Sequence, residues 1–234
     1  MEADVSHRYA IYYSPATASP LGGFGASWLG RSIEGQDLAS PKLRAMSPEA
    51  WETAITPPRR YGFHATLKPP FRLSEGSTER ELLDALEAFT HTADAARLGT
   101  LKLAALSGFL ALRPEREGAV GRLAADIVRE FDRFRAPLTQ EETARRKPQA
   151  LNDRQRDLLD RWGYPYVMSE FRFHMTLTGR LSTIEAEAFR GELQERLSPE
   201  ILNDVSIDEI CLFVERNPGD DFVLMQRFPL ADVS

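Results

Sequence analysis

Strand-like and helix-like segments alternate along the chain, and one five-residue motif recurs half a chain apart. The composition is that of an ordinary globular protein. Together these observations predict a mixed helix-and-strand fold built from two similar lobes. The chain has 234 residues, 42% apolar and 27% charged, which excludes a disordered chain, a collagen and a coiled coil. No run approaches the roughly 18 apolar residues of a membrane span. The opening MEADVSHRYAIYY has no basic segment followed by an apolar stretch, so no secretory leader and no membrane partner are expected. Cys211 is the single cysteine, which excludes an intrachain disulfide and a cysteine zinc site. A cytoplasmic monomer is expected. It forms one unit over 1–234, with intertwined halves of about 1–115 and 116–234 that meet within 114–135.

The elements follow in order. Residues 7–14 (HRYAIYYS) are aromatic and β-branched and read as a strand ended by Pro15. Residues 20–31 carry Gly22, Gly23 and Gly25 before Trp28 and Leu29, a loop leading into a short helix. Ser47-Pro48-Glu49 starts a helix that Pro57-Pro58 stops. Residues 61–68 read as a strand closed by Pro69-Pro70. Residues 77–97 read as a helix, with Leu82, Leu83, Leu86 and Phe89 on one stripe. Residues 101–112 are strand-like, and 120–134 repeat apolar residues at helical spacing. Residues 138–162 are polar and basic, one or two helices broken at Pro148. A strand at 171–178, a helix at 183–197 and strands at 205–215 and 222–228 complete the chain; the last two are joined through Asn217-Pro218-Gly219-Asp220.

The recurring motif is Phe63-His64-Ala65-Thr66-Leu67, repeated as Phe173-His174-Met175-Thr176-Leu177. Side chains alternate faces along a strand. Phe63, Ala65 and Leu67 should therefore be core, and so should Phe173, Met175 and Leu177. His64, Thr66 and Lys68 share the other face in the first copy; Arg172, His174, Thr176 and Thr178 share it in the second. Two lobes facing each other would bring two His, two Thr and two cations to one cleft. Two imidazoles can divide acid and base duty, Thr hydroxyls can donate to phosphoryl oxygens, and Lys68 and Arg172 favour an anion. A phosphodiester fits all three features, and no metal or other cofactor is required. His-x-Thr offers no second metal ligand at a fitting spacing. His7 and His91 read as surface residues.

At these two motifs the sequence resembles the 2H (two-histidine) phosphoesterase superfamily, whose signature is a pair of His-x-Thr/Ser motifs, one in each lobe. The resemblance runs from about His7 to Phe228. The longer strings RYGFHATLKPPF and WGYPY look like a bacterial branch whose genes accompany phosphonate (C–P lyase) utilisation genes. It implies a bilobal α+β fold, each lobe an antiparallel sheet with flanking helices around a central cleft. It implies a metal-independent hydrolase that opens a small cyclic phosphodiester, a 2′,3′-cyclic nucleotide or a ribosyl cyclic phosphate. An RNA-end cyclic phosphodiesterase or a 2′–5′ RNA ligase-like enzyme is the alternative, and a non-catalytic cyclic-phosphate binder is another. The catalytic residues expected are His64, His174, Thr66 and Thr176. Further substrate contacts are expected from Lys68, Arg172, Thr178, Tyr12 on the first strand, Arg145 and Arg146 of the basic insertion over 138–162, and Tyr164 and Tyr166 just after it. The partner expected is a small phosphorylated substrate. With Lys+Arg at 29 against Asp+Glu at 35, the net charge of −6 argues against long nucleic acid.

Overall fold

The computed structural model describes residues 7–231. Residues 1–6, which carry part of the reading that no leader is present, lie outside the described residues. No described helix is long and apolar enough to cross a membrane.

The fold is α+β. Nine strands are β1 (Arg8–Tyr13), β2 (Ala65–Phe71), β3 (Ala96–Gly99), β4 (Leu101–Leu106), β5 (Phe109–Pro114), β6 (Met175–Thr176), β7 (Val205–Ile207), β8 (Glu209–Glu215) and β9 (Val223–Pro229) among the described residues. The helices are α1 (Pro20–Leu29), α2 (Pro48–Arg59), α3 (Glu79–Thr90), α4 (Gly118–Glu130), α5 (Gln140–Arg145), α6 (Asp153–Trp162), α7 (Thr183–Arg196) and α8 (Pro199–Leu202). Seven strands form one antiparallel sheet in the order β4-β5-β6-β2-β1-β8-β9, and β3 pairs with β7 apart from it. The two motif strands, β2 and β6, are immediate neighbours at its centre, with Ala65 opposite Met175. Each repeat thus heads one wing of a shared sheet. The β4–β5 hairpin completes the wing of β6, and β1, β8 and β9 complete that of β2.

Alternation sorts the sheet's two faces as the sequence predicts. Phe63, Ala65, Leu67, Phe173, Met175 and Leu177 are all buried in the main core, with Ile11, Leu112 and Leu212. That face is covered by helices, with α4 against β2. Trp28 of α1 donates its indole N–H to the Leu177 carbonyl at 2.8 Å, tying a helix to the end of the second motif.

Several boundaries depart from the sequence reading for identifiable reasons. The glycine-bearing stretch is helix from Pro20 onward, capped by Ser19. Two of its glycines answer to close packing: a Cβ on Gly22 would stand 2.1 Å from the Ala16 carbonyl oxygen, and one on Gly25 1.9 Å from the Phe63 ring. The helix α2 runs through Pro57 and Pro58. Pro58 has no N–H for the Ala54 carbonyl, and that oxygen accepts from Gly179 N at 2.6 Å instead. The strand β2 likewise runs through Pro69-Pro70, because β6 is too short to need their missing donors. The helix expected over 77–97 ends at Thr90, and β3 follows, held by β7. The single strand expected over 101–112 is a hairpin, turned at Ser107 (φ 48°) and Gly108 (φ 91°). The basic insertion forms α5 and α6 with a 3-10 turn at Pro148–Ala150 between them. It docks on α4 through Val128, Leu158 and Val167.

Gly25→Ala should lower stability by about 1–3 kcal/mol through overpacking against Phe63. Urea unfolding followed by circular dichroism measures the loss, and an unchanged midpoint would contradict the contact.

Candidate active site

The candidate quartet of two histidines and two threonines is brought together by register alone. Ala65 opposite Met175 in an antiparallel pair sets His64 opposite Thr176, and Thr66 opposite His174. All four side chains then leave the same face of the sheet. The two histidines stand on a diagonal, with Cα atoms roughly 8 Å apart from strand rise and strand spacing. This adjacency replaces the expected picture of two lobes meeting face to face.

Both imidazoles are fixed in the same way. His64 Nδ1 lies 2.9 Å from the Gly62 carbonyl, and His174 Nδ1 lies 2.8 Å from the Arg172 carbonyl. A carbonyl only accepts, so each Nδ1 carries hydrogen and each Nε2 holds the lone pair of the neutral ring. Nε2 of His64 is 3.2 Å from the Thr66 hydroxyl. The ring of His64 stacks on Tyr12, with centroids 3.9 Å apart, and Tyr61 flanks it at 6.0 Å. His174 sits against Phe109 at 5.7 Å. Burial pushes the His64 imidazole down to about 4, with His174 contributing in the same direction and the Gly62 hydrogen bond opposing. Burial also lowers His174, opposed by the Arg172 carbonyl.

The quartet opens into a cleft of two joined chambers. The His64 chamber has a volume of about 630 Å³, and the His174 chamber about 470 Å³. Thr66, Tyr164, Phe109 and Arg180 line both. Among the described residues no group of three or more His, Cys, Asp or Glu is placed to hold a metal ion.

Two of the expected contacts, Lys68 and Arg145, are corrected, the first by a β-bulge and the second by helix geometry. Tyr12 pairs with Thr66 but Ile11 pairs with Lys68, so Leu67 is an extra residue and Lys68 turns to the core side with Ile11. Its ammonium lies 3.6 Å from Asp132 and 3.5 Å from the Val128 carbonyl, under α4 and out of the cleft. Burial lowers it to about 8. The second copy bulges at the equivalent place: Leu177 N and Thr178 N both donate to the Leu110 carbonyl. Thr178 still lines the first chamber, but it is fully buried and its hydroxyl is taken by Leu110 N and the Gly179 carbonyl. Arg145 faces outward on α5, paired with Glu141, and does not line the cleft.

The other expected contacts reach the cleft. Tyr12 is buried beneath His64 and lines the first chamber. Arg146 lines the same chamber, its guanidinium 4.8 Å above the Tyr164 ring. Tyr164 and Tyr166 meet edge to face at 5.6 Å, and Tyr166 lines the second chamber. Arg172 is on the wall of that chamber, but its guanidinium is bonded to the Ser169 and Phe171 carbonyls. Sequence reasoning missed Arg8, Tyr61 and Arg180 as lining residues. Arg8 was within reach of the alternation that places Tyr12, since both lie on the same face of β1. The bulge hides Arg180.

The chain belongs to DUF1045, a family described as proteins of unknown function, which it matches over residues 66–223. It is 39% identical over 230 residues to a protein of Janthinobacterium sp. (strain Marseille) called ribose 1,5-bisphosphate phosphokinase PhnN, a match that covers 96% of this chain and 51% of that protein. A protein of the same name from Laribacter hongkongensis (strain HLHK9) is 32% identical over 222 residues, 93% of this chain and 50% of its own length. The chain therefore spans about half the length of these curated relatives. Among solved structures it is similar to TT0787 of Thermus thermophilus, with 14% identity, a TM-score of 0.44 and coverage of 97% of this chain and 100% of that one. A structure described as a phosphoesterase gives 14% identity and a TM-score of 0.43, covering 97% and 99%.

The depressed His64 has a consequence for stability. In the unfolded chain its imidazole takes up a proton near pH 6.5, while in the folded chain it resists down to about 4. The unfolded state thus binds more protons in that window, and stability should fall as pH drops from about 6.5 towards 4. Urea unfolding across this range should show a slope that His64→Gln reduces; an equal slope in the variant would contradict a buried neutral His64.

Proposed function

We propose that the protein is a phosphoesterase of the two-histidine type that hydrolyses a small cyclic phosphodiester. The observation that carries this reading is the antiparallel pair of His-x-Thr motifs, which sets two histidines and two threonines diagonally on one sheet face. A phosphoryl group seated among them is approached from two sides. One Nε2 takes a proton from water as it attacks phosphorus. The other gives a proton to the departing sugar oxygen, so that one P–O bond forms as another breaks. His64, whose burial most strongly favours the neutral ring, takes the base role, and His174 the acid role. The Thr66 and Thr176 hydroxyls donate to the non-bridging oxygens as their charge grows. Arg180, at the junction of the chambers, supplies the positive charge that Lys68 does not.

The substrate class that fits is a ribosyl or nucleoside cyclic phosphate. The ribosyl side is favoured by the ribose bisphosphate in the name of the two relatives. Their phosphokinase is not carried over: no lysine of this chain follows a glycine, so the G-x-x-x-x-G-K-[ST] phosphate loop is missing from it. The relatives are about twice as long as the match, which leaves room for that activity outside it.

In an assay with EDTA present, followed by phosphorus NMR, ribose 1,2-cyclic phosphate and 2′,3′-cyclic nucleotides should be screened. His64→Ala and His174→Ala should each lose about 100- to 10,000-fold in turnover, and the double variant should be little worse than the worse single. Near-normal turnover by either folded variant would sink the mechanism. Both imidazoles are depressed, so the bell of kcat/KM should have both limbs below about pH 6.5, as values of the pair. An alkaline limb well above pH 7 would contradict that environment.

A further inference from the structure

The two chambers differ in charge, and the difference exceeds what a cyclic diester needs. A cyclic phosphodiester carries a single negative charge, and one protonated histidine already matches it. Yet the His64 chamber is lined by Arg8, Arg146 and Arg180, with no carboxylate among its lining residues. The His174 chamber shares Arg180 but has Glu170 beside Arg172.

Arg8 and Arg146 are held at this chamber by unlike means. On β1, Arg8, Ala10 and Tyr12 share the cleft face, so Arg8 lies about 13 Å along the strand from Tyr12. Its guanidinium grips the fully buried Glu215, one contact being 2.8 Å, and Arg60 pairs with the same carboxylate. Two guanidinium groups on one carboxylate leave the cluster with a net positive charge. The Arg8 guanidinium stands 5.5 Å from the Phe222 ring, which stacks on Tyr61 at 5.3 Å, and Tyr61 in turn flanks His64. Arg146 comes from the insertion, at the C-terminal end of α5. Among the described residues it makes no ion pair, and its guanidinium rests on the Tyr164 ring. A cation held on an aromatic ring inside a cleft keeps its donors for a ligand.

We propose that this chamber binds a second anionic group of the substrate, a phosphate monoester, between Arg8 and Arg146. The inference rests on the phosphodiesterase reading for the other end of the same molecule. The substrate is then a sugar that carries a cyclic phosphate at the histidines and a monoester phosphate one sugar ring away. Arg146 determines specificity, since it closes the subsite from the insertion and has no other ion pair among the described residues.

Binding separates this inference from turnover. The His64→Ala/His174→Ala chain is titrated calorimetrically with ribose 1,2-cyclic phosphate and with the same compound bearing a 5-phosphate. The 5-phosphate should tighten Kd about tenfold or more, as charge-assisted pairs do, and added salt should erode the gain. Adding Arg146→Met should remove most of the gain, weakening the 5-phosphorylated ligand far more than the unsubstituted one; Arg146→Lys should restore part of it. Arg8→Met should act in the same direction, and if it fails to fold, Arg146→Met alone decides. Equal Kd values for the two ligands, or a gain that survives Arg146→Met, would overturn the subsite. Failure of the wild-type chain to hydrolyse either compound would instead sink the phosphodiesterase reading and leave the binding comparison to stand by itself.

Discussion

One backbone pair holds the candidate site together: Ala65 beside Met175 at the centre of the sheet. Neither side chain faces the cleft; both are core. Their pairing nevertheless determines that each histidine meets the threonine of the other repeat. A slip of one residue would send one motif's histidine into the core. Burial protects the register, since a slip would force either Phe63 and Leu67 or Phe173 and Leu177 out of the core. The most conspicuous apolar residues of the repeat are thus the ones that align the polar ones.

The surroundings of the pair reinforce that alignment from several directions. The indole of Trp28 and the N–H of Gly179 close off the backbone beyond the second motif. Tyr12 supports the ring of His64 from the next strand. The two Nδ1 contacts to carbonyls two residues back are local, so each His-x-Thr motif brings its own orienting bond. The two imidazoles are therefore equivalent in tautomer and differ in burial. In such a pair the division of labour comes from the environment of the rings and not from their chemistry.

Much of this was legible in the chain. Period-two alternation gave the core faces of both motif strands, and the repeat itself gave the quartet. Three things were not legible. A bulge adds one residue without changing the hydrophobic pattern, so Lys68 reads as a cleft residue although it turns away. The glycines of α1 look like a loop until the ring of Phe63 is seen against Gly25. That β2 and β6 are neighbours, and not opposed across a gap, depends on long-range pairing that no local window contains. The hairpin is announced only by Ser107-Gly108, inside a run that otherwise reads as one strand.

The order of strands in the sheet also bears on how the chain is made. The first strand, β1, lies between β2 and β8, and its residue Arg8 waits for Glu215, which follows it by 207 positions. The β4–β5 hairpin likewise belongs to the early part of the chain but completes the wing of β6. On the ribosome, β1 stands with a bare edge until β8 emerges, and the β4–β5 hairpin until β6 does. Topologies dominated by such distant pairings fold slowly, and their unpaired edges invite association in the meantime. Because each wing borrows strands from the other half, neither repeat can close its share of the sheet by itself. The two copies of the motif therefore cannot be parted without opening the sheet that holds both.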